Sequence, residues 1–220
     1  MKSIFLLFWL FLMVEKCETI YFDKPQPDAV KNLKQFPKVY RGTYMDEDST
    51  YLEIDKTSFI HKRQLNWKLT KSELDTSTMY RLDKNFLINT QTLEKIPVQF
   101  RHDTIDVFDE IKDTLFTFSK DQLARSFKGN LILSSRQDDD LWEVEMYSLK
   151  GSILKYMAFY NNKGIFTDFA AMSDSEVIKD SAQTDTVKMI LKPSKKEFKK
   201  LLAKKDSLLV GEFRKISHAK

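Results

Sequence analysis

The chain of 220 residues has a single cysteine, Cys17. An intrachain disulfide is therefore excluded, and a fold of this length has to rest on a buried core. Glycine is nearly as scarce, at 5. That excludes a glycine-rich phosphate loop and leaves tight turns to Asp and Asn, which tolerate the left-handed conformation. The 3 histidines, His61, His102 and His218, include no pair at helical i, i+4 spacing, and His102 and Asp103 fall on opposite faces of any strand, so neither a zinc site nor any other metal site is predicted. No Gly-x-Ser-x-Gly elbow occurs, and Cys17 reads as acylated or outside the fold, so no catalytic constellation is recognised and no cofactor is implied. None of the 7 asparagines heads an Asn-x-Ser/Thr acceptor triplet.

What is present is charge, aromatic residues and alternation. The 36 basic and 32 acidic residues nearly cancel to +4, a balance that predicts no nucleic-acid partner. With 42% apolar and 13% aromatic residues, the composition is that of a folded domain rather than a disordered chain.

The N-terminus reads as an export signal over residues 1–16. Lys2 is followed by an unbroken apolar run, residues 4–14. As a helix this run spans about 16 Å against a hydrocarbon core of about 30 Å, which suits a signal peptide better than a membrane span. Cys17 then stands where a lipidated residue belongs and is the candidate lipid-attachment site. Val14 fits the aliphatic position of a lipoprotein signal, whereas Glu15 and Lys16 depart from its small residues. The alternative is an atypically processed signal with an idle thiol. Residues 17–37 read as a lipid-anchored tether with Pro25 and Pro27, followed by a short helix capped by Asp28 that carries Val30, Leu33 and Phe36.

From residue 38 to 217 the pattern is β-rich. Runs such as "KVYRGTYM", "TYLEID", "SFIHKRQ", "NWKLT", "TIDVF", "TLFTF", "NLILSS" and "LWEVEMY" alternate in period two and are bounded by Asp, Asn, Ser and Lys. The prediction is a mainly β fold: antiparallel strands in two sheets or a barrel-like sandwich, with a few short helices, one of them near the C-terminus. Tyr40, Tyr44, Leu52, Ile54, Phe118, Leu131, Leu133, Trp142 and Val144 are the predicted core. Two segments carry capping-box spacing and are predicted as helices, "SKDQLARSF" from Ser119 and "SKKEFKKLLAKK" from Ser194. Tyr40-Arg41-Gly42 resembles Phe127-Lys128-Gly129, which makes residues 38–118 and 119–217 candidate related halves.

The C-terminal helix concentrates charge. Lys195, Lys196, Lys199 and Lys200 form two i, i+4 like-charge pairs, each unfavourable by a few tenths of a kcal/mol without a nearby anion. The sequence favours a structural helix, with Phe198, Leu201 and Leu202 packed on the sheet and the lysines turned to water or to acidic neighbours within the fold. The alternative is an anionic surface outside it, with these four lysines as the contacts. The three consecutive carboxylates Asp138, Asp139 and Asp140 read as a solvated hairpin turn, since calcium loops space their ligands and use a glycine hinge.

The signal, the early Cys17, "FPKVYRGTYMDEDSTYLEI" and "DTLFTF…FKGNLIL…LWEVEMYSL" together resemble envelope lipoproteins of Bacteroidota-type bacteria. The resemblance implies a cell-envelope location and β architecture. With Cys17 as the lipid anchor and no catalytic constellation, the favoured reading is a membrane-anchored, non-enzymatic module that binds or scaffolds an envelope protein partner. "RGTYM" is also similar to the Gly-x-Trp opening of lipocalins, with Tyr44 at the Trp position. That similarity implies, as the alternative, a carrier holding a small apolar ligand in a barrel mouth.

Overall fold

The alternation in "LWEVEMY" decides the architecture of one half of the molecule. In the computed structural model, which describes residues 20–137, 139–159, 165–179 and 187–218, Trp142, Val144 and Met146 lie on one face of a strand and enter a common core. Glu143, Glu145 and Tyr147 occupy its other face, as the period of two requires. The chain divides into two units. One contains the chain up to Lys34 together with Phe118–Glu212, and the other Gln35–Thr117 with the chain from Phe213 onward.

In the first unit, numbering strands in chain order, β1 (Ile20–Phe22), β9 (Gln122–Phe127), β10 (Asn130–Arg136), β11 (Trp142–Lys150), β12 (Ile153–Ala158), β13 (Ser175–Lys179) and β14 (Val187–Leu191) hydrogen-bond into an open, mixed sheet. β1 runs parallel to β14 and antiparallel to β11, where Phe22 faces Trp142. β11 pairs with β10 and β12. The core on one face gathers Ile20, Phe22, Ile132, Trp142, Val144 and Met146. It is closed by Phe169 of helix α2 (Ile165–Ala170) and by Phe198, Leu201 and Leu202 of α3 (Lys195–Leu202). The Phe198 ring lies 6.1 Å from Phe22, 6.4 Å from Phe159 and 6.5 Å from Phe127. Fully burying a side chain such as Phe22 or Phe198 contributes about 1.5–3 kcal/mol of transfer free energy.

The second unit holds β2 (Gly42–Met45), β3 (Tyr51–Ile54), β4 (Ser58–Thr70), α1 (Lys71–Asp75), β5 (Tyr80–Asp83), β6 (Phe86–Asn89), β7 (Lys95–Arg101) and β8 (Thr104–Thr117). The strands hydrogen-bond in the order β2-β3-β4-β8-β7-β6-β5, and the last part of β15 (Leu209–His218) pairs with β2. This path, too, is open, so neither unit is a closed barrel. Phe36, Phe59 and Phe116 pack as a ring cluster at one end of the long β4–β8 pair. Leu87, Ile96, Val98, Ile105 and Val107 form a separate small core at the other end, with Leu74 of α1 against it.

The mainly β class with few short helices holds, and α3 is the C-terminal helix. Its capping box is complete: Ser194 Oγ accepts from the Glu197 amide, and the Glu197 carboxylate accepts from the Ser194 amide at 2.8 Å. Three local expectations are corrected. "SKDQLARSF" is not a helix. Ser119 closes a turn with Gln122, and Gln122–Phe127 becomes β9, since Ala124 fits a fully buried position opposite Leu133. The tether expected over residues 17–37 is mostly not one, because Ile20–Phe22 is a sheet strand with Ile20 and Phe22 buried. No helix forms at Asp28. Its carboxylate instead bonds the Ala29 amide and the Lys24 ammonium. Of the predicted core, Phe118 alone is only half-buried; the other eight residues are buried.

The two aromatic-basic-glycine triplets serve different backbones. Gly129 (φ 75°) follows Lys128 (φ 51°) in a two-residue hairpin turn where left-handed geometry is required. Gly42 follows a 3-10 turn, Lys38–Tyr40, and opens β2. The shared triplet is not a repeated structural unit.

Candidate functional site

Lys195, Lys196, Lys199 and Lys200 all project from the exposed side of α3. Its opposite side is spent on the core. The lysines flanking the helix are balanced within the fold. Lys192 Nζ lies 2.9 Å from a Glu176 carboxylate oxygen, and Lys204 Nζ lies 3.7 Å from Asp168. Among the described residues, the central four form no ion pair. Lys195 instead holds its ammonium 5.8 Å from the centroid of the Phe127 ring. Glu197 is the nearest acid in sequence, but its carboxylate serves the capping box. The Ser194 hydrogen bonds hold it below the usual glutamate range, with Lys200 and Lys196 adding to the effect. Among the described residues no acidic side chain pairs with these four charges, and the lysines face outward from a helix whose apolar side is packed on the core.

Cys17 lies outside the described residues. The chain that follows it is placed: β1 begins at Ile20 and Phe22 touches Phe198 of α3. From residue 17 to residue 22 the chain reaches at most about 18 Å.

A second cluster occupies the other face of β11, and the sequence reading did not single it out. Glu145 accepts from the Tyr156 hydroxyl at 2.7 Å and from the Tyr147 hydroxyl at 3.3 Å. The two tyrosine rings stack at 5.2 Å. Burial pushes the Glu145 carboxyl above its ordinary value, and the tyrosine hydrogen bonds only partly oppose this. Glu143, two residues along, is also pushed up, by burial first and then by the charge of Glu145. It accepts from the Gln137 side-chain amide at 3.1 Å. The available signal was the W-E-V-E-M-Y alternation, which sets both acids and Tyr147 on one face.

Gln137 also lines a cleft of about 150 Å³ with Tyr21, Asp139, Leu141 and Lys188. Lys188 bonds Asp139 at 3.0 Å. Sites for drug-sized ligands or cofactors run from about 300 Å³ upward, so this cleft suits a few waters or a small ion. Asp140 pairs with Arg136 at 2.6 Å, and Asp138 lies outside the described residues. Among the described residues no group of three or more His, Cys, Asp or Glu side chains is placed to hold a metal ion. His61 sits on β4 opposite Asp113, and His102 turns the chain between β7 and β8. No helix among the described residues is long and apolar enough to cross a membrane.

No protein-family model, curated protein or solved structure matches the chain. A functional reading therefore rests on residues and geometry.

Proposed function

We propose that the chain is a non-enzymatic interaction module of a bacterial cell envelope. In this reading it is tethered by lipid on Cys17 and steadied against an anionic bilayer by Lys195, Lys196, Lys199 and Lys200, leaving the rest of its surface for an envelope protein partner. The observation that carries the reading is the exposed four-lysine side of α3. It has no ion pair among the described residues, and it is packed on the strand that begins three residues after Cys17. A lysine near an anionic membrane surface gains about 1 kcal/mol, and the gain falls off within a Debye length of about 8 Å at physiological salt. A lipid on Cys17 would leave the helix free to come within that range of the headgroups. The resemblance to Bacteroidota-type envelope lipoproteins supports the same location.

The lipocalin-like alternative has less support. It needs a closed barrel with an apolar interior, whereas the strand path of each unit is open and the cleft described above is small and partly charged.

Vesicle co-sedimentation of unlipidated protein lacking residues 1–17 tests the reading. Binding to vesicles with anionic lipid should exceed binding to neutral vesicles and weaken with salt. Replacing all four lysines by Gln should reduce it at least about tenfold, a conservative fraction of four charges at about 1 kcal/mol each. Equal binding to both vesicle types sinks the membrane contact and leaves α3 as a structural cap on the sheet.

A further inference from the structure

We propose that the open edge of β5 is a self-complementary docking strand that pairs antiparallel with β5 of a second copy of this chain. β5 ends the hydrogen-bonded path of its unit, and Arg81, Leu82 and Asp83 are all exposed. The strand has no proline, and its register with β6 is regular, so it lacks the bulge or proline that commonly blunts an edge.

The hairpin fixes which backbone groups point outward. Asp83 pairs with Phe86 across the two-residue turn Lys84–Asn85. A two-residue hairpin closes only if these flanking residues exchange both of their hydrogen bonds. By alternation Arg81 does the same with Ile88. Leu82 faces Leu87 as a non-hydrogen-bonded pair, and its own N–H and C=O point away from β6, toward the open edge.

A second β5 related by a two-fold axis then has one favourable register. Centred on Leu82, it makes Leu82 and the Leu82 of the second copy a hydrogen-bonded pair that satisfies both outward-pointing backbone groups. Arg81 then falls opposite the second copy's Asp83, and Asp83 opposite its Arg81. Those are non-hydrogen-bonded positions, where the Cα atoms approach to about 4.5 Å and side chains meet most closely. Among the described residues neither Arg81 nor Asp83 has an ion-pair partner, so both are available. Centring on Arg81 instead would set two arginines against each other and bring together backbone groups already spent on β6. Met79, 52% exposed, immediately precedes the strand and adds apolar surface beside the edge.

A charge swap tests the pairing. Full-length chain in density-matched detergent is followed by sedimentation equilibrium over roughly 5–500 μM, the range suited to a micromolar-to-millimolar association. Wild type should move from the 26.0 kDa monomer toward twice that mass. Arg81→Asp alone and Asp83→Arg alone each set like charges opposite one another at both positions, and each should raise the dissociation constant at least tenfold. The double variant carrying both restores opposite charges and should return it to within about threefold of wild type. Wild type that stays monomeric throughout, including one whose edge takes up a different envelope chain, overturns the proposal. So do single variants that associate like wild type, and a double variant that stays monomeric while keeping the wild-type melting temperature.

Discussion

Replacing Arg125 by Ala should release the arm that joins β1 to the second unit's first residues. Arg125 sits on β9, and its guanidinium reaches three acceptors on that arm. Nη1 donates to the carbonyls of Pro25 and Pro27, the latter at 2.8 Å, and Nε donates to Asn32 Oδ1 at 2.8 Å. Beside it the Leu33 amide donates to the Ala124 carbonyl at 2.8 Å. Hydrogen bonds with one charged partner are worth about 1.5–3 kcal/mol each in a protected setting. Two features lower the sum. The Asn32 contact is exposed, and burial depresses the Arg125 pKa, which means the cation already bears a desolvation cost that its removal returns. A net loss of about 2–3 kcal/mol is expected from urea unfolding, with faster hydrogen exchange at the Leu33 amide. Arg125→Lys keeps the charge but replaces a rigid fork by a point donor unable to span three acceptors, so it should lose more than half as much. A stability within about 0.5 kcal/mol of wild type for Arg125→Ala, or wild-type behaviour for Arg125→Lys, would refute the clamp.

Two further outcomes follow from the sequence and the sheet face. Folding raises the Glu145 pKa, so the folded state binds more protons than the unfolded one, and stability should fall as pH rises from the ordinary glutamate range through the folded value. Glu145→Gln should flatten that slope and be at least as stable as wild type at pH 7; a steeper slope or a marked loss at pH 7 contradicts the assignment. Mass spectrometry of membrane-extracted protein should find an acylated N-terminal Cys17 peptide, and an intact Glu15-Lys16-Cys17 peptide with a free thiol as the main species would rule lipidation out.

The strands were legible because their burial is decided locally. Leu52 and Ile54, or Trp142, Val144 and Met146, alternate with polar residues, and that alternation is the same in sequence and in space. α3 was legible for a different local reason, since the Ser194–Glu197 box and a three-residue apolar stripe both lie within two turns. The same capping signal misled at Ser119. There Ser119 Oγ accepts from the Asp121 amide within a turn, and pairing along β10 outweighs the local helix signal over Gln122–Phe127. Strand length was also hidden. "SFIHKRQ" and "NWKLT" are one strand, β4, and "TIDVF" and "TLFTF" are one strand, β8. Their middles, around Gln64 and Glu110, are exposed and carry little apolar signal, so the runs appear separated. The paired acids Glu143 and Glu145 were visible as an alternation, but nothing in the sequence shows that Tyr156 lies opposite Tyr147 or that the site is partly buried.

The arm between Cys17 and Tyr40 is where sequence and structure differ most, and the difference bears on function. Pro25, Pro27 and an aperiodic pattern make residues 18–27 look like a free linker, which would let the folded part roam tens of ångströms from its anchor. Yet Ile20 and Phe22 are buried, Gln26 donates its amide to Ser134 Oγ at 3.1 Å, and Arg125 and Ala124 hold the stretch to Leu33. None of these partners is near in sequence, so no local pattern announces them. Only residues 18 and 19 separate Cys17 from the first strand. A lipid on Cys17 would then hold the sheet and α3 close to the headgroups instead of presenting them at a distance. In the proposed reading, that proximity would let four lysines that form no ion pair among the described residues meet the headgroups, with a strength that depends on lipid charge.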